Sequence, residues 1–263
     1  MAELLDLDAE VLHDYLSGVT AWIEELAADE PPNRILDLGA GTGTGTFALL
    51  DRFDGATAVA LDASSQLLDH LTARARDLGV ADRVTTIEAD LDDGWPAIDP
   101  VDLVWASASL HHMAEPDRVL TEVFGALRPG GLLVVVELDS FPRFLPEDVG
   151  IGRPGLEARG HAALGERREV DLPHLGSDWG PRISRAGFTV QAERSFTIEL
   201  TSPLPAATGR YAQASLRRMR DFLDADDLGT LDTLLDSDGP DGLLQREDLS
   251  VRAARTIWVA RNA

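Results

Sequence analysis

Residues 34–47 read R-I-L-D-L-G-A-G-T-G-T-G-T-F, and this stretch decides the fold. The apolar run at 35–38 suits a buried strand. Glycines at 39, 41, 43 and 45 break it, and an amphipathic run resumes with Phe47, Ala48, Leu49 and Leu50. A strand, a glycine turn and a helix form a nucleotide cradle, because glycine lets the backbone approach a ligand and the helix start offers free N–H groups. The glycine register selects the nucleotide. A dinucleotide fingerprint needs glycines at relative places 1, 3 and 6. The sixth place counted from Gly39 is Thr44, and counted from Gly41 it is Thr46. The pattern that does fit is acid-x-Gly-x-Gly-x-Gly, with Asp37 as the acid and Gly39, Gly41 and Gly43 following.

Outward from this stretch, strands and helices alternate. Strand-like runs fall at 57–61, 84–87, 101–106 and 132–138, with helical runs at about 44–53, 64–78 and 116–127. Ser64 predicts an N-cap and Gly79 a helix end. Apolar strands alternating with helices imply a parallel sheet covered on both faces. Upstream, Leu12, Tyr15, Leu16, Val19, Trp22, Ile23 and Leu26 share a helical spacing, so one amphipathic helix is expected over 8–28, ended by Pro31 and Pro32. Downstream, residues 139–180 are rich in glycine, proline and arginine and show no period, as in a functional or mobile loop. Residues 178–187 suit a helix, 188–200 a strand, 205–236 two more helices and 251–260 a last strand.

A chain of 263 residues can bury one good core, so one domain with an insertion is expected rather than two. Its 46 acids against 23 bases give a net charge of −23, which makes nucleic acid and anionic membranes poor partners. Every base is arginine. The absence of cysteine removes disulfides, thiolate metal sites, iron–sulfur clusters and a cysteine nucleophile. No run approaches the roughly 20 apolar residues of a membrane span, and the start lacks a basic signal-peptide region. A cytoplasmic protein is expected.

Four features follow the glycine loop in order. Asp62 lies 23 residues beyond Gly39, after the second strand. The third strand ends T-I-E-A-D-L-D-D at 86–93, and the fourth runs V-D-L-V-W-A-S-A-S-L-H-H-M at 101–113. The fifth is introduced by L-R-P-G-G-L-L-V-V-V-E at 127–137. In this order the motifs resemble the class I S-adenosylmethionine-dependent methyltransferases of the small-molecule type, over about 33–138 and the two closing strands. The resemblance implies an α/β, Rossmann-like, doubly wound sheet of seven mostly parallel strands, with helices on both faces and a substrate-side cap. Residues 1–32 would be a helical segment closing over the cofactor, and 33–138 the S-adenosylmethionine-binding core. A mobile cap insertion would occupy 139–180, and 181–263 would complete the core with a helical insertion at about 205–236.

The resemblance also implies contacts. Asp37, Gly39, Ala40, Gly41 and Gly43 would form the cofactor loop. Asp62, followed by Ala63, would accept both ribose hydroxyls; the simpler reading is a helix cap. Asp90 and Leu91 would meet the adenine, whereas Asp92 and Asp93 read as solvated charges. Ala106 and Ser107 would lie beside the methionine portion, and Asp102 would be structural, anchoring the cofactor-loop side of the sheet. His111 is the general-base candidate and His112 the second, since an ordinary histidine titrates near pH 6.5; packing around the cofactor is the other reading of the pair. No metal is expected, because adjacent histidines point apart and no third ligand is suitably spaced.

The implied activity is methyl transfer to O, N or C of a small molecule, such as a secondary metabolite. Two alternatives stay open: cofactor-dependent chemistry without methylation (cyclisation or decarboxylation), and a cofactor sensor. The expected partner is the small-molecule substrate; the oligomeric state is open, a homodimer being one option. Arg210, Arg217, Arg218 and Arg220 could grip an acidic or polar substrate, but pairing with Asp221, Asp224, Asp226 and Asp227 is the preferred reading.

Overall fold

The computed structural model describes residues 1–262, with side chains described outside 166–171. One sheet contains β1 (Arg34–Leu38), β2 (Thr57–Asp62), β3 (Val84–Glu88), β4 (Val101–Ser107), β5 (Leu127–Arg143), β6 (Thr189–Leu200) and β7 (Val251–Arg261). Their order is β3-β2-β1-β4-β5-β7-β6. Strands β1 to β5 pair in parallel, and β7 runs antiparallel to both β5 and β6. This is the expected Rossmann-like sheet with its antiparallel last strand. Its strand order reverses between β1 and β4, which opens a crevice above their carboxyl ends.

Adjacent residues of a strand face opposite sides, so an unbroken apolar strand feeds two cores. Leu36, Leu38 and Val104 pack with α5 (Pro116–Ala126) and α7 (Trp179–Arg185) on one face. Ile35, Leu103 and Trp105 pack on the other, against α2 (His13–Leu26) and α3 (Thr44–Arg52). Helix α4 (Ser65–Asp77) starts at Ser64, whose hydroxyl accepts the Leu67 N–H at 3.3 Å. Among the described residues no helix is long and apolar enough to cross a membrane.

The structure departs from expectation at the amino terminus and in the cap. Instead of one helix over 8–28 there are two, α1 (Ala2–Val11) and α2, with Leu12 outside helical geometry between them. Residues 139–180, expected to lack regular structure, include the end of β5 and α6 (Leu156–Asp171). Helix α6 escapes a periodicity reading because its buried face is only partly apolar. Leu156, Glu157, Gly160 and Leu164 line it. Gly160 packs where a Cβ would come within 2.6 Å of Met219 Sδ, and Glu157 accepts the Phe144 and Leu145 N–H groups at 2.9 and 3.0 Å. With α1, α8 (Thr208–Arg217) and α9 (Ala225–Leu235), α6 closes a third core around Leu7, Leu156, Leu164, Leu216 and Leu231. Each fully buried leucine contributes about 2 kcal/mol.

Candidate active site

The glycine loop crosses the carboxyl end of β1 with Gly39, Gly41 and Gly43 at φ of +69°, +55° and +84°. A side chain is strained in that region, so the backbone path itself requires these glycines. Their close neighbours are protein atoms. A Cβ on Gly39 would fall 2.5 Å from Ser109 Cβ, and one on Gly43 2.7 Å from Leu71 and Phe47. One on Gly41 would lie 3.0 Å from Leu5 of α1. The expectation that the glycines serve close ligand approach is therefore only part of their role. Asp37 lies beneath the loop, 2 % exposed, and accepts the Thr46 hydroxyl at 2.6 Å. Burial pushes its carboxyl up to about 7. It shapes the loop from below.

Asp62, half-buried at the end of β2, joins loop and helix. One carboxylate oxygen accepts the Gly41 N–H and the other the Ser64 N–H, both at 2.9 Å. The helix cap itself is Ser64, so the simpler reading of Asp62 moves two residues along. Ala63 and Asp90 are exposed, and Ala40 and Leu91 are buried. Asp92 does more than meet solvent: its carboxylate accepts the Ala114 N–H at 3.0 Å and ties the end of β3 to the segment after β4. Asp102 is structural but anchors the opposite edge of the sheet, where it accepts the Asn33 and Arg34 N–H groups and pairs with Arg128 at 2.7 Å.

Beyond β4, Ala106 is buried and Ser107 half-buried, and Ala108 has φ +50°, a strained value for a non-glycine residue. His111 is 2 % exposed, with Nδ1 2.5 Å from Glu137 Oε2; Glu137, equally buried, accepts the Leu110 N–H through Oε1 at 2.9 Å. The His112 ring lies 4.3 Å from that of His111 but is exposed. Partial desolvation of the ring against its neighbours, followed by the adjacent His111 imidazole, holds the His112 pKa below its ordinary value. Glu137 was readable only as the end of a strand. The signal for more was an acid closing a Val-Val-Val run.

Helix α1 spans this crevice. Leu5 rests at Gly41, and Asp6 pairs with His70 at 2.8 Å and Arg74 at 3.0 Å on α4. Asp8 accepts the Tyr211 hydroxyl at 2.5 Å and pairs with Arg255 of β7 at 2.7 Å. Arg255 lies 5.3 Å from the centre of the Tyr15 ring. Two cavities lie elsewhere. One of about 420 Å³ occupies the amino edge of the sheet, and its arginines are already engaged, Arg128 by Asp102 and Arg261 by the Gly130 carbonyl. One of about 560 Å³ lies between the α1–α2 break and the end of β6.

The methyltransferase domain family matches residues 36–133. The methyltransferase GfsG of Streptomyces halstedii is 36% identical over 40% of this chain and 38% of its own length. The chain thus spans about two fifths of that relative. The uncharacterized methyltransferase Rv3342 of Mycobacterium tuberculosis is 35% identical over 77% of this chain and 76% of its own. Among solved structures, the (4+2)-cyclase SpnF superposes with a TM-score of 0.56 at 20% identity, covering 93% of this chain and 80% of that one. This last similarity is one of fold.

Proposed function

As the chain belongs to the class I S-adenosylmethionine-dependent methyltransferases, we propose that it moves a methyl group from S-adenosylmethionine to O, N or C of a small molecule, in the crevice above β1, β2 and β4. A cyclase shares the fold, so the family, rather than the fold, supports methyl transfer. The observation that carries the reading is the joint placement of Asp62 and the loop. A carboxylate has about four acceptor positions; Gly41 and Ser64 take two, leaving acceptors for the ribose hydroxyls. The hydroxyls of Thr44 and Ser109 are buried beside the loop without a protein partner, as suits the polar end of an amino acid. Asp90 and Leu91 would flank the adenine, and Ala63, Ala106 and Ser107 the rest of the cofactor. Asp37, Gly39, Ala40, Gly41 and Gly43 hold the loop in shape.

Bound there, the sulfonium supplies an electrophilic methyl group. The protein's part is to align the acceptor, exclude water and, for an acceptor hydroxyl, remove a proton. Glu137 fixes the proton of His111 on Nδ1, which leaves Nε2 as the basic atom. Helix α1 closes over the cofactor, and the layer of α6, α8 and α9 walls the acceptor. A cytoplasmic setting and a small-molecule partner belong to the same reading.

Incubation with methyl-labelled S-adenosylmethionine and fractionated metabolite extract tests the activity, with label expected in a small-molecule fraction. Saturable binding without transfer would sink it. Calorimetry with S-adenosylhomocysteine tests the site: Asp62→Ala should weaken binding about tenfold or more, and unchanged affinity would refute the assignment.

A further inference from the structure

Strand β3 lies at the edge of the sheet, and its ladder to β2 ends at Glu88, with one further hydrogen bond from the Ala89 N–H to the Asp62 carbonyl at 3.1 Å. The turn that follows, 90–93, has no ladder to hold it. Within it, the Asp92 N–H donates to Asp90 Oδ1 at 2.9 Å and the Asp93 N–H to the Asp90 carbonyl at 3.1 Å. These bonds shape the turn but do not place it. Leu91 buries its side chain in the core it shares with Leu110. Among the described residues, every hydrogen bond that ties the turn to another element runs to Ala114 or Arg118. The Asp92 carboxylate accepts the Ala114 N–H at 3.0 and 3.1 Å. Arg118 Nη2 donates to the Leu91 carbonyl at 2.5 Å and reaches that of Asp92 at 3.5 Å.

The two ties run in opposite directions. A side chain of the turn holds the main chain before α5, and a side chain of α5 holds the main chain of the turn. In a chain with 46 acids, Arg118 thus turns Nη2 to main-chain carbonyls, and a hydrogen bond from a charged donor is about twice as strong as a neutral one. What the clamp aims is Asp90. That residue is exposed, its Oδ1 is spent inside the turn, and Oδ2 has no hydrogen bond among the described residues. A hydrogen bond weakens steeply when misaligned, so the worth of Oδ2 as an acceptor depends on how firmly the turn is held.

We propose that Arg118 is a positioning residue for the adenine end of the cofactor: without touching the ligand, it fixes the 90–93 turn so that Asp90 Oδ2 meets the exocyclic amine. The inference rests on the cofactor reading above, which puts the adenine beside Asp90 and Leu91. It adds a residue on α5 that governs which base is preferred. An Arg118 that served only as a structural staple would alter stability and leave that preference as it was.

The test is calorimetry with S-adenosylhomocysteine and with S-inosylhomocysteine, in which a carbonyl oxygen replaces the amine. The native protein should prefer the adenine compound about tenfold or more, as a hydrogen bond to a charged acceptor warrants. R118Q should weaken the adenine compound about tenfold, leave the inosine compound within about twofold, and so erase the preference. R118M keeps a helix-forming stem without a donor and gives the same comparison where R118Q is unstable. R118K, which retains a donor but not the planar fork, should recover part of the preference. An R118Q or R118M protein that keeps the preference, or a native protein that binds the two compounds equally, overturns the proposal, while uptake of S-adenosylhomocysteine sustains the cofactor reading. A native protein that takes up neither compound overturns both.

Discussion

Asp37→Asn should stabilise the protein, and the gain should grow with pH. The native carboxyl is buried under the glycine loop, and burial raises it from 3.8 to about 7. Below pH 4 the carboxyl is protonated in folded and unfolded chains alike, and the residue has no pH effect. Between pH 4 and 7 the unfolded chain ionises while the folded one holds its proton, so stability falls as pH rises. Above pH 7 both ionise and the cost is constant. At ~1.4 kcal/mol per pKa unit the full loss is about 4 kcal/mol, of which roughly 2.5 falls between pH 5 and 8. Asparagine cannot ionise, and its carbonyl can still accept the Thr46 hydroxyl. Urea unfolding of both proteins at pH 5 and pH 8 should show the asparagine variant's advantage widening by about 2–3 kcal/mol. An advantage equal at the two pH values would refute the account of Asp37 as a buried, proton-holding support.

The other substitutions probe the loop, the strap and the proton acceptor. Gly39→Ala combines a positive φ with a Cβ 2.5 Å from Ser109 and should cost about 2–4 kcal/mol by thermal unfolding; a loss under half a kcal/mol would contradict the packing. Asp8→Ala leaves Arg255, 9 % exposed, without its carboxylate and should cost about 3 kcal/mol or more. Hydrogen exchange should quicken across α1 in that variant, and unchanged protection would count against Asp8 as its tether. Glu137→Gln removes the charge that orients His111 and should slow methyl transfer by roughly ten- to a hundredfold with S-adenosylhomocysteine affinity unchanged. An unaltered rate would leave His111 as packing.

The α/β core was legible because its signals are local. The apolar runs of β1, β2, β4 and β5 are buried on both faces, and glycine, serine or proline punctuates each helix. The lining of the candidate crevice was legible in outline, because acids and small residues at strand ends follow from strand boundaries. What faced each residue was not. Glu137 reads as the end of a β-strand until the fold brings His111 across from β4. Asp8 lies 203 residues from Tyr211 and 247 from Arg255 in sequence, and no periodicity joins them. Helix α6 was hidden because its inner face is built from a glycine and a hydrogen-bonded glutamate as well as leucines. The arginines of 205–220 were matched to the nearest acids along the chain, while the fold had given two of those acids, Asp224 and Asp227, to Arg153 and Arg159.

Helix α1 is fastened at Asp6 to α4, beside the glycine loop, and at Asp8 to β7 and α8. On the proposed reading a single short element would be shared by cofactor and acceptor. Any free energy that one ligand gains from a docked α1 lowers the cost of docking for the other, and by thermodynamic reciprocity each should raise the affinity of its partner by the same factor. Departure is linked in the same way. On the proposed reading, a cofactor held beside Gly41 would leave only after Leu5 lifts and the Asp6 pairs part, and the opening rate of this helix would then cap turnover, however fast the methyl group moves.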